Sequence, residues 1–78
     1  MWFIYILECV DGSLYTGSTN NIDTRFKNHV EGHGARYTKS HKPIKIVYSE
    51  TFETRSQAVI REAKIKKMTK KQKLLLVN

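Results

Sequence analysis

The sequence predicts a small α+β fold, a three-stranded antiparallel sheet flanked by helices in the order β-β-α-β-α-α. Three observations predict it: two β-forming runs around an Asp-Gly dipeptide, helical periodicity in three later segments, and one further β-forming run between them. Strands joined by a short turn pair antiparallel, and helices cover such a sheet. With 78 residues, the chain is expected to form a single domain over 1–78, with a modest core and its site at the surface.

The first two predicted elements form a hairpin. Residues 2–10 (WFIYILECV) are rich in aromatic and β-branched side chains, which favour a strand covered on both faces. Asp11-Gly12 is a strong turn signal, and residues 14–19 (LYTGST) form the return strand. Gly17 inside this second strand indicates a bulge or a close approach of the backbone.

The length of the hairpin loop decides where the two strand tyrosines point. A two-residue turn pairs Tyr5 with Ser18 and puts Tyr15 on the opposite face, because side chains alternate along a strand. A loop with an odd number of residues puts Tyr5 and Tyr15 on the same face. The residues by themselves leave both registers open.

A first helix is predicted directly after the hairpin. Asn21 is a good N-cap residue, and Ile22, Phe26 and Val30 recur at the spacing of one apolar helix face. This pattern predicts a helix over residues 22–31 whose apolar face covers the core.

The rest of the chain is predicted as a loop, a strand and two helices. Residues 32–43 are basic and rich in glycine and polar groups, and residues 44–49 (IKIVYS) form a third strand. Thr54 and Gln57 have capping-box spacing and open a helix over 55–67. Its apolar positions include Ala58, Val59, Ala63 and Ile65. The last helix follows the same capping-box spacing, at Thr69 and Gln72.

The charge distribution points to a polyanionic partner. The chain has a net charge of +7, from 14 Lys+Arg against 7 Asp+Glu. All 14 basic residues but only four acids lie in residues 24–78, so that part carries +10. Basic charge concentrated in this way is typical of nucleic-acid binding.

The single cysteine and the apolar pattern bear on compartment. Cys9 can form no internal disulfide and is expected to be a buried small hydrophobe in a reducing compartment. The opening apolar run is too short for a membrane span. It lacks a basic n-region and is interrupted by Glu8, so it does not resemble a signal peptide. The expectation is a cytoplasmic monomer with no membrane contact.

Glu62 is the most informative single residue. It lies four residues after Ala58 and three before Ile65, so its carboxylate falls beside the apolar stripe of its helix. Burying a charge is costly unless it is paired or binds a metal. One carboxylate with waters suits Mg²⁺ or Mn²⁺. The alternative is an ion pair with a nearby cation, Arg55, Arg61 or Lys66.

Other polar side chains suit phosphodiester chemistry. Arg25 and His29 are one helical turn apart at the edge of the apolar face, where a guanidinium can hold a phosphate and an imidazole can move a proton. Tyr5 and Tyr15 can bring two hydroxyls to one spot. A basic, aromatic and hydroxyl-bearing set is expected to contact nucleic acid, namely Arg36, Tyr37, Thr38, Lys39 and Lys66.

Together these residues resemble a known family. Phe3-Ile4-Tyr5 and Tyr15-Thr16-Gly17, followed in order by Arg25, His29 and Glu62, resemble the GIY-YIG endonuclease superfamily. The segments GARYT (34–38) and REAKIKK (61–67) are similar to its small, single-domain, YhbQ-like (UPF0213) bacterial members. The resemblance covers nearly the whole chain.

The resemblance implies roles for the hairpin residues. Tyr5 lies where the family has a tyrosine that positions or deprotonates the attacking water. Tyr15 matches the second active-site tyrosine, and Gly17 matches the glycine that closes the motif. Both tyrosines then share a face, which favours the odd loop.

It also implies roles for the helical residues. Arg25 matches the arginine that steadies the scissile phosphate, and His29 an auxiliary acid/base or hydrogen-bond donor. Glu62 matches the single divalent-metal ligand. The chain departs from the family pattern at Phe3, where glycine is usual, and at Thr16, which replaces isoleucine. Asn78, the one asparagine after Glu62, is not expected to serve as the family's later asparagine.

The resulting hypothesis is a Mg²⁺- or Mn²⁺-dependent endonuclease that hydrolyses DNA. Selection by substrate structure rather than sequence is expected, in DNA repair or recombination, with a protein partner supplying further specificity. The alternative is a non-catalytic nucleic-acid-binding module of the same fold. A weaker alternative is an adaptor that docks through its LLLV tail.

Overall fold

The computed structural model describes residues 1–77, so Asn78 lies outside the described residues. Its elements are β1 (Trp2–Cys9), β2 (Leu14–Thr19), α1 (Ile22–Val30), α2 (Arg36–Ser40), β3 (Pro43–Phe52), α3 (Arg55–Lys66) and α4 (Lys70–Val77). The predicted α+β fold and its element order are confirmed. The structure adds α2 inside the segment predicted as a loop and lengthens the third strand.

Helix α2 escapes prediction for two reasons. It has only 5 residues, too few for a repeating apolar face to be recognised. Its N-cap residue, Ala35, makes no side-chain hydrogen bond, so the sequence carries no start signal there.

The sheet has the order β2-β1-β3 with both neighbouring pairs antiparallel. The central strand β1 is buried on both faces, as its apolar run predicts. Four consecutive side chains have an exposed fraction of 2% or less, namely Ile4, Tyr5, Ile6 and Leu7. Cys9 is also buried and is not in a disulfide.

The hairpin loop has an odd length. The backbone N–H of Gly12 donates to the Cys9 carbonyl and that of Cys9 to the Ser13 carbonyl, each at 2.9 Å. Gly12 adopts a φ of +83°, which completes a three-residue loop at little steric cost. Tyr5 therefore pairs with Gly17 and Leu7 with Tyr15. Both tyrosines lie on one face, and the two-residue turn is the wrong alternative.

The two faces of the sheet pack against different helices. Ile4 and Ile6 pack on one face against Ala58 and Ile65 of α3 and form the buried apolar core. The partly buried residues around this core are Trp2, Leu14, Val47, Tyr48, Phe52, Met68 and Leu76. Tyr5 lies between the two isoleucines in sequence and points to the opposite face, towards α1.

The predicted apolar face of α1 is wrong in part. Ile22 and Phe26 are partly buried, but Val30 is 40% exposed, and the buried residue of the helix is His29. Helix α1 is rotated so that the imidazole enters the interior, where both ring nitrogens have hydrogen-bond partners. Burying a fully bonded imidazole costs little.

Helix α3 begins as predicted. The Thr54 hydroxyl accepts a hydrogen bond from the Gln57 backbone at 3.2 Å, and the Gln57 side chain accepts one from the Thr54 backbone at 3.3 Å. Of its four predicted apolar positions, Ala58 and Ile65 are buried, whereas Val59 and Ala63 are exposed. The same capping box opens α4 at Thr69 and Gln72.

Candidate active site

An aromatic and imidazole cluster occupies the α1 side of the sheet. The ring centroids of Tyr5, Tyr15 and His29 are separated by 6.5, 5.8 and 5.2 Å. The Tyr5 hydroxyl is hydrogen bonded to His29 Nε2 at 2.8 Å in a buried position. The hairpin register brings the tyrosines together, and the rotation of α1 brings the imidazole to them.

Gly17 is required by space at this cluster. A Cβ at this position would lie 2.6 Å from Tyr5 Cζ and 3.2 Å from Tyr15 Cε2, and it would also collide with the Tyr5 hydroxyl oxygen. Of the two possibilities predicted for this glycine, the structure has the close approach. The motif glycine therefore makes room for the Tyr5 side chain.

The Tyr5 hydroxyl is a neutral phenol at pH 7. Burial, opposed by the nearby Arg25 guanidinium, raises the pKa of Tyr5 to about 12. The neighbouring Tyr15 and Glu62 contribute to this rise in the pKa. The charges of Arg25 and Glu62 thus both act on the protonation of Tyr5.

His29 is neutral and enclosed. Its side chain is fully buried, and burial together with the charge of Arg25 lowers the pKa of His29 to about 4. Its Nδ1 lies 2.7 Å from Thr38 Oγ1. The expectation that His29 lies at the edge of the apolar face is wrong, because the ring is fully buried and contacts Tyr5 and Thr38.

Glu62 lies where the helical spacing predicts, between Ala58 and Ile65. Ser18 Oγ donates to its Oε1 at 2.6 Å, and Lys66 Nζ lies 2.8 Å from its Oε2. The carboxylate side chain is only 17% exposed. Of the three cations considered from the sequence, Lys66 is thus its partner, whereas Arg61 pairs with Glu50.

A divalent cation fits this carboxylate in only one way. Residues 1–77 contain no group of three or more His, Cys, Asp or Glu side chains that could hold a metal ion. Glu62 would be the one protein ligand, and waters and substrate oxygens would supply the rest, an arrangement that Mg²⁺ accepts. Each carboxylate oxygen keeps a lone pair beyond its bond to Ser18 or Lys66.

The segment from Gly34 to Lys39 divides into buried and exposed parts. Thr38 is buried, with an exposed fraction of 2%, and its hydroxyl faces His29. It does not face a nucleic-acid backbone, contrary to the prediction. Tyr37 stacks between Tyr15, at 5.8 Å, and His41, at 4.0 Å. Two of the residues predicted to contact nucleic acid, Arg36 and Lys39, are exposed cations with no ion-pair partner assigned to them among residues 1–77.

Three contacts of the site lie beyond the sequence prediction. Gly34 packs so closely on the imidazole that a Cβ there would lie 2.8 Å from His29 Cγ. The other two are the Ser18 bond to Glu62 and the Thr38 bond to His29. If the odd hairpin register had been predicted, the alternation of side chains along β2 would have placed Ser18 on the face of the sheet opposite to Tyr5.

Comparison with known proteins identifies the family. The family model described as the GIY-YIG catalytic domain matches residues 1–74. The chain belongs to the GIY-YIG family. Membership supports an endonuclease-type function and implies nucleic-acid binding, and it confirms the resemblance seen in the two tyrosine motifs.

Relatives of this GIY-YIG chain have similar lengths. A UPF0213 protein of Clostridium perfringens is 51% identical over 78 residues, which is all of this chain and 84% of the relative. A UPF0213 protein of Staphylococcus aureus is 47% identical over 75 residues, 96% of this chain and 92% of the relative. The UPF0213 name carries no statement about activity.

Solved structures agree with the fold. The solution NMR structure of a UPF0213 protein from Bacillus halodurans has a TM-score of 0.62 at 40% identity, over 99% of this chain and 83% of the other. A solution NMR structure from E. faecalis has a TM-score of 0.60 at 44% identity, over 91% and 76%. Within residues 1–77, no helix is long and apolar enough to cross a bilayer.

Proposed function

We propose that this GIY-YIG chain is a divalent-metal-dependent endonuclease that hydrolyses DNA, with Tyr5, Arg25 and Glu62 meeting the substrate. The observation that supports it is the convergence at one phenol hydroxyl. The Tyr5 oxygen is hydrogen bonded to a buried imidazole and lies in the fields of a guanidinium and a carboxylate. Metal-dependent phosphodiester hydrolysis combines a proton acceptor, a cation that binds the phosphate and a metal ligand.

Arg25 is the proposed phosphate ligand. Its planar guanidinium binds two phosphate oxygens and stabilises the negative charge that develops on them during attack. Glu62 would hold a Mg²⁺ or Mn²⁺ ion, which would supply Lewis-acid charge for the reaction. Tyr15 packs beside Tyr5 and His29 and keeps the hydroxyl of Tyr5 in place.

Tyr5 is the proposed acceptor of the proton of the attacking water. With a pKa of about 12, it is protonated at pH 7 and cannot act as a phenolate base. It accepts a proton from water when its own phenolic proton passes to His29 Nε2, 2.8 Å away. His29 thus acts through Tyr5 and not on the substrate, because both of its ring nitrogens already have hydrogen-bond partners within the protein.

The proposed substrate is DNA selected by structure rather than by sequence. Residues 24–78 carry a net charge of +10, which attracts any nucleic-acid backbone. Arg36 and Lys39 are exposed close to Tyr37 and suit phosphate contacts. A role in DNA repair or recombination, with a protein partner adding specificity, belongs to the same proposal.

Cleavage assays with a matched carboxylate control test the proposal. Labelled single-stranded, duplex and branched DNA are incubated with Mg²⁺ or Mn²⁺ and wild type, Glu62→Gln or Glu31→Gln. Glu31 is exposed at the end of α1, so its change removes the same charge outside the site. We expect cleavage by wild type and Glu31→Gln, and its loss with EDTA or in Glu62→Gln, by about 100-fold or more.

The opposite result identifies the alternative. Wild type that binds these DNAs with the same affinity as Glu62→Gln, and cleaves none of them with either metal, would be a non-catalytic nucleic-acid-binding module. Binding is measured in parallel by fluorescence anisotropy at a fixed salt concentration, since the affinity depends on salt.

A further inference from the structure

The hydroxyl of Thr38 has a defined hydrogen-bond direction. Thr38 Oγ1 lies 2.9 Å from the Ala35 carbonyl oxygen, which can only accept. This contact assigns the single hydroxyl proton of Thr38 to the Ala35 oxygen, which also accepts from the backbone N–H groups of Thr38 at 3.1 Å and Lys39 at 3.3 Å. Towards His29 Nδ1, 2.7 Å away, the same oxygen can only accept, so Nδ1 must carry a proton.

The proton on Nδ1 determines the other ring nitrogen. The imidazole is neutral at pH 7, since burial lowers the pKa of His29 to about 4, and a neutral ring has one N–H. Nε2 is then unprotonated and accepts from the Tyr5 hydroxyl at 2.8 Å. The donors run in one direction, from Tyr5 to His29, from His29 to Thr38 and from Thr38 to Ala35.

We propose that Thr38 is a positioning residue that fixes His29 in the Nδ1–H tautomer and so makes Nε2 the acceptor of the Tyr5 proton. Its catalytic consequence rests on the proposed function. With Nε2 accepting, the lone pairs of the Tyr5 oxygen are free for the attacking water. In the other tautomer, Nε2–H would donate to Tyr5, and the phenol would have no neighbour to take its proton.

The chain around Thr38 is shaped to hold the imidazole. Gly34 lies against the ring so closely that a side chain there would collide with it, and Thr38 is reached one turn later along α2. The ring is thus enclosed by the backbone at Gly34, the hydroxyl at Thr38 and the phenol at Tyr5. Within residues 34–39, Gly34 and Thr38 contact the imidazole, while Arg36 and Lys39 face solvent.

The ring protonation is measured by ¹⁵N NMR of the His29 nitrogens at pH 7. We compare wild type, Thr38→Val, Thr38→Ser and Thr16→Val. Thr16→Val makes the same chemical change at a buried threonine outside this network, whose hydroxyl has no partner. We expect the Nδ1–H form in wild type, Thr38→Ser and Thr16→Val, and its loss or mixing with the Nε2–H form in Thr38→Val.

The second measurement is DNA cleavage as a function of pH. Thr38→Val is expected to lower the cleavage rate about tenfold or more and to change the pH profile, because a partner that orients a histidine commonly contributes that much. Thr38→Ser is expected to restore the rate and the profile of wild type. A purely structural role for Thr38 would leave both the tautomer and the profile unchanged.

Each outcome decides the proposal. A proton on Nε2 in wild type overturns it without any variant, and so does an unchanged Nδ1–H form in Thr38→Val. A changed tautomer with an unchanged pH profile overturns the positioning role. If wild type does not cleave DNA at all, the proposed function fails, whereas the NMR result still decides whether Thr38 sets the proton position.

Discussion

At the scale of single residues, the site depends on which polar atoms have partners. His29 is buried at no great cost because Tyr5 and Thr38 satisfy both its nitrogens. Glu62 is largely buried because Ser18 and Lys66 satisfy its oxygens. Thr16 is the exception among the described residues: its Oγ1 is buried and has no hydrogen-bond partner.

Replacing Thr16 with valine should therefore stabilise the protein. The change keeps the side-chain shape and removes an unsatisfied buried hydroxyl, which costs about 1–3 kcal/mol. We expect the free energy of unfolding to rise by about 1 kcal/mol in urea titration. Thr19→Val is the matched control, because Thr19 Oγ1 accepts from the Asn21 backbone at 3.1 Å and its loss should destabilise. Destabilisation by Thr16→Val would mean that this hydroxyl has a partner in solution.

At the scale of elements, three segments each bring one part of the site. The hairpin carries the tyrosines, α1 carries Arg25 and His29, and α3 carries Glu62. Helix α3 is attached to β3 by Arg61, whose Nε and Nη2 donate to the two oxygens of Glu50 at 2.9 and 3.0 Å. Tyr48 also donates to Glu50, and Arg61 holds the pKa of Glu50 below its ordinary value. This network joins α3 to β3 at Arg61, one residue before Glu62.

Breaking the network should weaken the attachment of α3. Arg61→Met leaves a partly buried Glu50 without its main partner, and we expect a loss of about 1–3 kcal/mol of unfolding free energy. The coupling is measured by a double-mutant cycle with Glu50→Gln, by urea unfolding of the four proteins. The double variant should be destabilised by less than the sum of the two single variants. Additive effects would show that the pair contributes no interaction energy.

At the scale of the whole molecule, stability and the site share one small structure. One face of the sheet packs the apolar core against α3, and the other packs Tyr5 and Tyr15 against His29. The protonation of His29 therefore affects the stability of the entire fold.

The free energy of unfolding should decrease as the pH is lowered through the range in which His29 takes up a proton in the unfolded chain. The pKa of His29 is about 4 in the folded state, against an ordinary value of 6.5. Between these values the unfolded chain binds the extra proton, so stability is lost as pH falls from about 7 to about 4, by about 3 kcal/mol. Urea titrations of wild type and His29→Gln across this range isolate the contribution of His29 to the pH dependence, because the other groups titrate in both proteins. An equal pH dependence in the two would contradict it.

The sequence by itself determined every element except the short helix α2, and it determined the burial of one carboxylate. Strands, helix starts and capping boxes at Thr54 and Thr69 follow from short-range propensities and hydrogen bonds, which act within a few residues. The largely buried carboxylate of Glu62 follows from its spacing to Ala58 and Ile65. These features are local, so the order of residues suffices to predict them.

Only the tertiary structure decided how those elements meet. The hairpin register depends on the loop that Gly12 closes, and the burial of His29 instead of Val30 depends on how α1 is rotated over the sheet. Ser18 donates to Glu62, and Thr38 turns inward to His29, through contacts between different elements. Packing and hydrogen bonding across the whole fold select one arrangement among several that the local sequence allows equally.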